Sequence, residues 1–173
     1  LGTLADFLKK NFVRDWDVIV IADGAGSGWG GPIGWCCVII DKFSGRRELL
    51  YGGSSNGTVN MAELQPFVSA MKFYMHQISG NRKSTVLKVH MFSDSEVTVG
   101  CGSGKFETHA NLELWAAMDS FKQQNFELFW HWLPRDTWPL QIIADEYATI
   151  AREKMKEIRV DMNRIYDEMP GGG

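Results

Sequence analysis

Cysteine is scarce in this 173-residue sequence: Cys36, Cys37 and Cys101 are the only three. The count is odd, two of them are adjacent, and no CxxC pair occurs. That excludes a disulfide framework and a zinc site, and leaves no disulfide partner to assign. Cys36 and Cys37 lie in an apolar run and read as small core residues. They imply a reducing, intracellular setting: cytoplasmic, or nuclear if the source is eukaryotic or viral. Long apolar runs are also missing. The longest, such as Trp35 to Ile40, has only the length of a strand, so no membrane span and no secretory signal are expected. A basic excess is absent too, since 18 Lys and Arg face 21 Asp and Glu, for a net charge of −3. Proteins that grip nucleic acid through charge alone are usually basic. A nucleic-acid role for this chain must therefore rest on a local patch, on metal ions or on another domain.

What is present suits a single folded domain: 45 % apolar residues and seven tryptophans supply core material. Residues 1–16 place Leu4, Phe7, Leu8 and Phe12 at helical spacing and read as a leader or short helix. Asp17 to Asp23, Pro32 to Asp41 and Arg46 to Gly53 read as three strands in a meander. From Asn60 to Ile78 the apolar period becomes helical. Thr85 to Ser93 returns to strand, Asp94 to Gly100 is a short helical turn, and Asn111 to Gln124 is an amphipathic helix. Phe126 to Leu133 is an aromatic strand, and a last helix starts near Pro139. The order βββ-α-β-α-α-β-α predicts an α/β fold, a five-stranded mixed sheet of three antiparallel meander strands followed by βα units, flanked by helices. The expected organisation is a leader over 1–16, a catalytic domain over 17–153, and a helical extension with a Gly-rich tail over 154–173. The Leu1 start and the Gly-Gly-Gly end suggest an excised or processed domain.

The stretch VIVIADGAGSGWGG, Val18 to Gly31, contains the GxGxxG spacing of a dinucleotide loop. That loop needs a helix directly after its glycines, because helix amides hold the pyrophosphate. Here strand sequence follows, Pro32-Ile-Gly-Trp-Cys-Cys-Val-Ile-Ile, so the glycines belong to a hairpin. Attention passes to Asp23, a carboxylate at the end of an apolar strand, which is costly to bury unless paired or on a metal. Glu63 near a helix start, Asp94 at a strand end and Asp145 in the last helix occupy similar places, each beside an apolar face. Singly, each could be a cap or a first-turn acid. Together they point to a carboxylate cluster relieved by divalent cations, Mg²⁺ or Mn²⁺ rather than Zn²⁺, since no His or Cys accompanies them. Two such ions support phosphodiester hydrolysis.

Five pieces of sequence in order then resemble ribonuclease H of type 1, across about residues 17–152. They are ADGAGSGWGGPIGWCCVI, TVNMAELQPFVSAM, HMFSDSEVTV, NLELWAAMDSF and FWHWLPRD followed by ADEYATIAR. The resemblance implies an endoribonuclease that cuts the RNA strand of RNA–DNA hybrids and leaves 3′-hydroxyl and 5′-phosphate ends. It implies two Mg²⁺ or Mn²⁺ ions on Asp23, Glu63, Asp94 and Asp145, with Gly24, Asn60, Asn111 and Arg135 as substrate contacts. Asn60 is equally readable as a helix N-cap.

The sequence departs from the family in two places. Many members carry a histidine in the loop before the last of the four acids; here that loop, Leu133 to Pro139, has none, and Arg135 falls at or beside that position. No basic, Trp-containing protrusion lies between the third and fourth helices; only Gly100 to His109 is there. Weak substrate binding by the isolated domain is therefore expected, with an attached polymerase or reverse transcriptase domain as a source of affinity. Trp130 and Trp132 share one strand face and read as core, while His76, His90 and His131 read as surface or strand residues. Other nucleases of the same fold (resolvase, exonuclease, strand transferase) and a non-catalytic module of a polymerase are the competing readings.

Overall fold

A computed structural model of the chain describes residues 3–80 and 85–168. The Gly-rich tail lies outside the described residues. The elements follow the expected order. They are α1 (Leu4–Lys10), β1 (Val18–Ala25), β2 (Ile33–Asp41), β3 (Arg47–Ser54), α2 (Val59–Phe73), β4 (Leu87–Ser93), α3 (Glu96–Gly102), α4 (Leu112–Lys122), β5 (Phe126–Trp132) and α5 (Pro139–Glu168). The single helical stripe expected over 60–78 is an α-helix to Phe73 and then a π-helical turn, Tyr74–Ile78. Among the described residues no helix is long and apolar enough to cross a membrane.

The five strands lie in the order β3-β2-β1-β4-β5. β1–β2 and β2–β3 are antiparallel, while β1–β4 and β4–β5 are parallel. The parallel register pairs Ile21 with Phe92. β1 and β4 therefore run side by side, and both deliver an aspartate at the same end of the sheet. Strand alternation sorts the core into two faces. Val18, Val20 and Ala22 of β1 join Cys37, Met91, Phe67, Met71 and Met118 beneath α2 and α4. Ile19, Ile21, Val38 and Phe92 face the other way, against Phe7, Val13 and Trp16.

The second face explains the fate of the first residues. Phe7 of α1 is buried and meets Phe92 and Trp138 edge-on, at centroid distances of 4.7 and 5.1 Å. Burying one such ring stabilises by about 2 kcal/mol, so this short helix packs as part of the core. α5 crosses the same face at close range. Ala144 and Ala148 pack on Cys36, and a Cβ on Gly34 would stand 2.1 Å from the Ala148 carbonyl oxygen. Small residues on both sides thus bring α5, and Asp145 with it, down to the sheet. Cys36 and Cys37 are free, buried and pointed to opposite faces.

On that second face His90, expected to be a surface or strand residue, is buried at 7 % exposure. It stacks with Phe129 and His131, because the β4–β5 register places these rings side by side. His90 Nε2 lies 2.9 Å from the Asp15 carbonyl oxygen, which can only accept, so Nε2 carries the proton. The neutral ring then accepts at Nδ1 from His131 Nε2, 2.8 Å away.

Candidate active site

The carboxyl ends of β1 and β4 and the start of α2 converge. Asp23, Glu63 and Asp94 each offer an oxygen within 4.8 Å of the others. Three local features produce this. Asp23 ends the buried part of β1 and accepts the Gly24 N–H at 2.9 Å. Gly24 has no side chain where one would collide: a Cβ there would lie 2.3 Å from the Ala62 carbonyl and 2.6 Å from the Glu63 nitrogen. The first turns of α2 therefore approach β1 closely enough for Glu63 to reach Asp23. Asp94 follows β4 directly, and Ser95 caps α3 by accepting the Thr98 N–H at 3.2 Å. The indole N–H of Trp132 donates to the Asp94 carbonyl oxygen at 3.0 Å and fixes the backbone there. Asp145 is half-buried on the second turn of α5, where its carboxyl helps to raise that of Asp23, outside the tight group of three.

The electrostatics are those of a crowded anionic site. Burial pushes the Asp23 carboxyl up to about 8, helped by the charge of Asp94 and the contact with Asp145. Burial likewise pushes Glu63 up, with the charges of Asp23 and Asp94 adding to it. Glu63 Oε2 is buried without a hydrogen-bond partner. Such an orphan acceptor is costly, and a cation is what the donor set lacks. The ligands on offer are all carboxylate oxygens, which fit a hard divalent ion. Beside Asp23, Cys36 has its thiol held up at about 12 by burial and by the Asp23 charge, so it stays neutral.

Around the acids, the expected contact residues take up particular places. Arg135 Nε donates to Asp94 Oδ2 at 3.3 Å while its side chain is 74 % exposed. Asn60 is exposed on the first turn of α2 and is not the N-cap. Thr58 caps instead, its hydroxyl accepting the Met61 N–H at 3.2 Å, which leaves the Asn60 carboxamide free of capping. Asn111 is the N-cap residue of α4 in left-handed geometry, φ 54°, yet its side chain makes no capping bond. Both asparagines line one shallow pocket of about 220 Å³ with Thr98 and Trp115.

The two tryptophans expected together in the core separate. Trp130 packs on Phe67, but Trp132 is 48 % exposed, because its strand end runs out toward Asp94. One organising residue was not singled out from sequence. Gln141 is buried, accepts the Thr137 and Trp138 N–H groups at 3.1 and 3.3 Å, and donates to the Pro134 carbonyl at 2.8 Å. It staples shut the loop that carries Arg135. A polar residue in a helix's first turn is ordinary in sequence, and nothing local distinguishes it.

No family model matches the chain. Among curated proteins it is 31 % identical over 119 residues to the ribonuclease H of Ehrlichia ruminantium, covering 69 % of this chain and 71 % of that one. It is 27 % identical over 157 residues to the ribonuclease H of Caldicellulosiruptor saccharolyticus, covering 83 % of this chain and 99 % of that one. Among solved structures, the N-terminal RNase H domain of a Mycobacterium tuberculosis protein superposes with a TM-score of 0.68 at 19 % identity, over 84 % of this chain and 99 % of that one. LC11-RNase H1, solved in complex with an RNA/DNA hybrid, gives a TM-score of 0.65 at 24 % identity, over 79 % and 97 %. The chain belongs to the ribonuclease H family, type 1.

Proposed function

We propose that this chain is an endoribonuclease that hydrolyses the RNA strand of RNA–DNA hybrids, with Asp23, Glu63, Asp94 and Asp145 holding two Mg²⁺ or Mn²⁺ ions. The observation that carries the reading is the trio of carboxylates within 4.8 Å, one of them with an orphaned buried oxygen. A scaffold has no use for such a cluster, whose repulsion divalent cations relieve. Bound there, a pair of divalent ions would lower the pKa of an attacking water and stabilise the leaving oxygen of a phosphodiester.

The chain's own groups bind and orient. Asp23, beside Glu63 and Asp94 and raised by Asp145, would hold both ions. Arg135 offers a guanidinium at the rim beside Asp94, within reach of a phosphate brought to the acids. Asn60 and Asn111 present free carboxamides to the minor groove and backbone of the duplex. Gly24 lets α2 close on β1 and would offer its backbone to the substrate beside the acids. With a net charge of −3, affinity beyond these contacts is supplied by an attached polymerase or reverse transcriptase domain, and the work is intracellular.

The test is cleavage of end-labelled RNA–DNA hybrid with Mg²⁺ or Mn²⁺, beside double-stranded RNA and double-stranded DNA. Cleavage confined to the hybrid's RNA strand is the expected result. Silence with both metals defeats the catalytic reading, and equal cutting of double-stranded DNA indicates a nuclease of another type on the same fold.

A further inference from the structure

The acids occupy one end of the sheet, and the other end has a character of its own. β1 starts there at Val18, about 17 Å from Asp23 at about 3.3 Å per strand residue. Three connections meet at that end: residues 11–17 leading into β1, the β2–β3 hairpin, and the entry to β4. Each carries a large apolar side chain in water. Phe12 is 88 % exposed, Phe43 80 % and Val86 55 %. Phe12 also stands at a position that glycine fills by default. Its N–H donates to the Lys9 carbonyl at 3.2 Å, and the Val13 N–H donates to the Leu8 carbonyl at 2.9 Å. These paired bonds close a helix around a left-handed residue, here at φ 58°. A bulky side chain there costs backbone strain and gains no burial, so folding does not account for it. Phe43 rides on a stapled turn. The Ser44 N–H and hydroxyl donate to Asp41 Oδ2 at 3.0 and 2.6 Å, and the Gly45 N–H donates to the Asp41 carbonyl at 2.9 Å. The Lys42 N–H donates to the Asp17 carbonyl at 3.0 Å and ties that turn to the segment after α1.

The charge at this end is positive although the chain is acidic overall. Lys9, Lys10 and Arg14 flank Phe12, Lys42 precedes Phe43, and all four are exposed. Asp15 and Glu48 are engaged by Lys88 and Arg46, and Asp17 accepts the Lys88 N–H at 2.8 Å. Glu127, exposed at the start of β5, is the counterweight. We infer that this end docks on an anionic lipid surface, with the Phe12 and Phe43 rings in the bilayer interface and the four cations on its phosphate headgroups. Apolar tips flanked by basic stems let a protein lie on a membrane without spanning it. Lysine suits that edge, because its alkyl stem follows the rings inward while the ammonium stays at the headgroups. Phe and Val bring no polar atom to bond a base or a protein, and Val86 has no face for stacking. The rings stand on two separate turns, which a flat surface meets together. A duplex on the acids lies at the opposite end of the sheet, so hybrid and lipid can be held at once.

Co-sedimentation with vesicles of phosphatidylglycerol and phosphatidylcholine in equal parts, beside vesicles of phosphatidylcholine alone, reads the inference. The wild-type chain should sediment with the anionic vesicles at about 0.1 M salt, where the Debye length is about 10 Å, and release as salt rises. Phe12→Gly and Phe43→Ser should each weaken binding by about tenfold or more, the range for one apolar ring withdrawn from burial. Lys9→Gln combined with Lys10→Gln should weaken it by about fivefold per lysine. Phe12→Gly should meanwhile hold or raise Tm, since glycine takes the left-handed position without strain. Both ring variants should keep the hybrid cleavage of the wild type. If Phe12→Gly lowers Tm, Phe43→Ser decides, because its turn is bonded through Asp41, Ser44 and Gly45 and not through the ring. Failure of the wild type to sediment with anionic vesicles overturns the inference, as does binding that neither ring variant weakens. Equal binding to phosphatidylcholine alone overturns it too, since the cations then contribute nothing. If the wild type ignores vesicles and the ring variants lose a self-associated species, or lose binding to a single-stranded oligonucleotide, this end belongs to a second copy or to nucleic acid and the inference fails.

Discussion

Asp23→Asn should stabilise the metal-free protein, and only at neutral pH. In the fold Asp23 is pushed up from 3.8 to about 8, first by burial and then by Asp94 and Asp145. Below pH 4 the carboxyl is protonated folded and unfolded alike, and its full contribution to stability is present. Between about pH 4 and 8 the unfolded chain releases the proton while the folded chain keeps it, so stability falls as pH rises, by about 1.4 kcal/mol per pH unit. About three units separate 3.8 from 7, so the ceiling on the loss at pH 7 is about 4 kcal/mol. Asparagine removes the titration. It keeps an oxygen for the Gly24 N–H and turns an amide donor toward Glu63, whose buried Oε2 has none. Urea denaturation in EDTA should show Asp23→Asn more stable by about 2–4 kcal/mol at pH 7 and by less than about 1 kcal/mol at pH 4. Added Mg²⁺ or Mn²⁺ should stabilise the wild type more than the variant, closing the gap. A variant no more stable at pH 7, or equally stabilised at both pH values, would refute the reasoning.

Glu63→Gln should leave the circular dichroism spectrum unchanged and cut hybrid cleavage by at least about a hundredfold; retention of a tenth of wild-type rate would remove Glu63 from the site. Gln141→Ala strands the Thr137 and Trp138 amides and the Pro134 carbonyl, and should cost about 1–3 kcal/mol in urea denaturation. It should also lower kcat in the same direction as Arg135→Ala, since it frees the loop that holds Arg135 on Asp94; a Gln141→Ala enzyme with wild-type kcat would separate the two. His131 is pushed down to about 4, first by burial and then by His90, so the stability it confers is complete above about 6.5 and is lost as pH falls toward 4. His131→Phe should shrink the drop in Tm between pH 7 and pH 5, and an unchanged drop would assign that acid sensitivity elsewhere.

The parts of the site that could be read in the sequence are those fixed by local pattern. β1 and β4 each announce themselves as apolar runs that end in an aspartate, and the break from strand to helical period after Asn60 marks where Glu63 must lie. The hairpin reading of the glycines followed from the strand sequence after them, and the register of β1 on β2 agrees with it. What escaped was whatever depends on how two distant segments meet. Thr58 and Asn60 are both good capping residues two positions apart, and packing of α2 on Gly24 decides that the helix begins at Val59. Trp130 and Trp132 share a face by alternation, yet only one has a helix above it. His90 and His131 become a pair through the β4–β5 register, which no single strand encodes.

The two departures from the family pattern then bear on how the site holds its charge without metal. Three carboxylates in one place are tolerated in two different ways. Asp94 is met by the Arg135 guanidinium, held there by a loop that Gln141 closes. Asp23 and Glu63 have no such partner, and burial makes them keep protons instead. A divalent cation entering the cluster must displace those protons, so its binding should strengthen as pH rises toward 8 and release protons as it occurs. Asp94 would hold such an ion in place of Arg135, and the guanidinium would then be available to the substrate's phosphate. The loop that other members fill with a histidine is thereby occupied here by a group whose charge never titrates. Any pH dependence of cleavage between 6 and 8 should then come from the acids and the metal they bind, and Arg135→Lys should leave that dependence in place while lowering the rate.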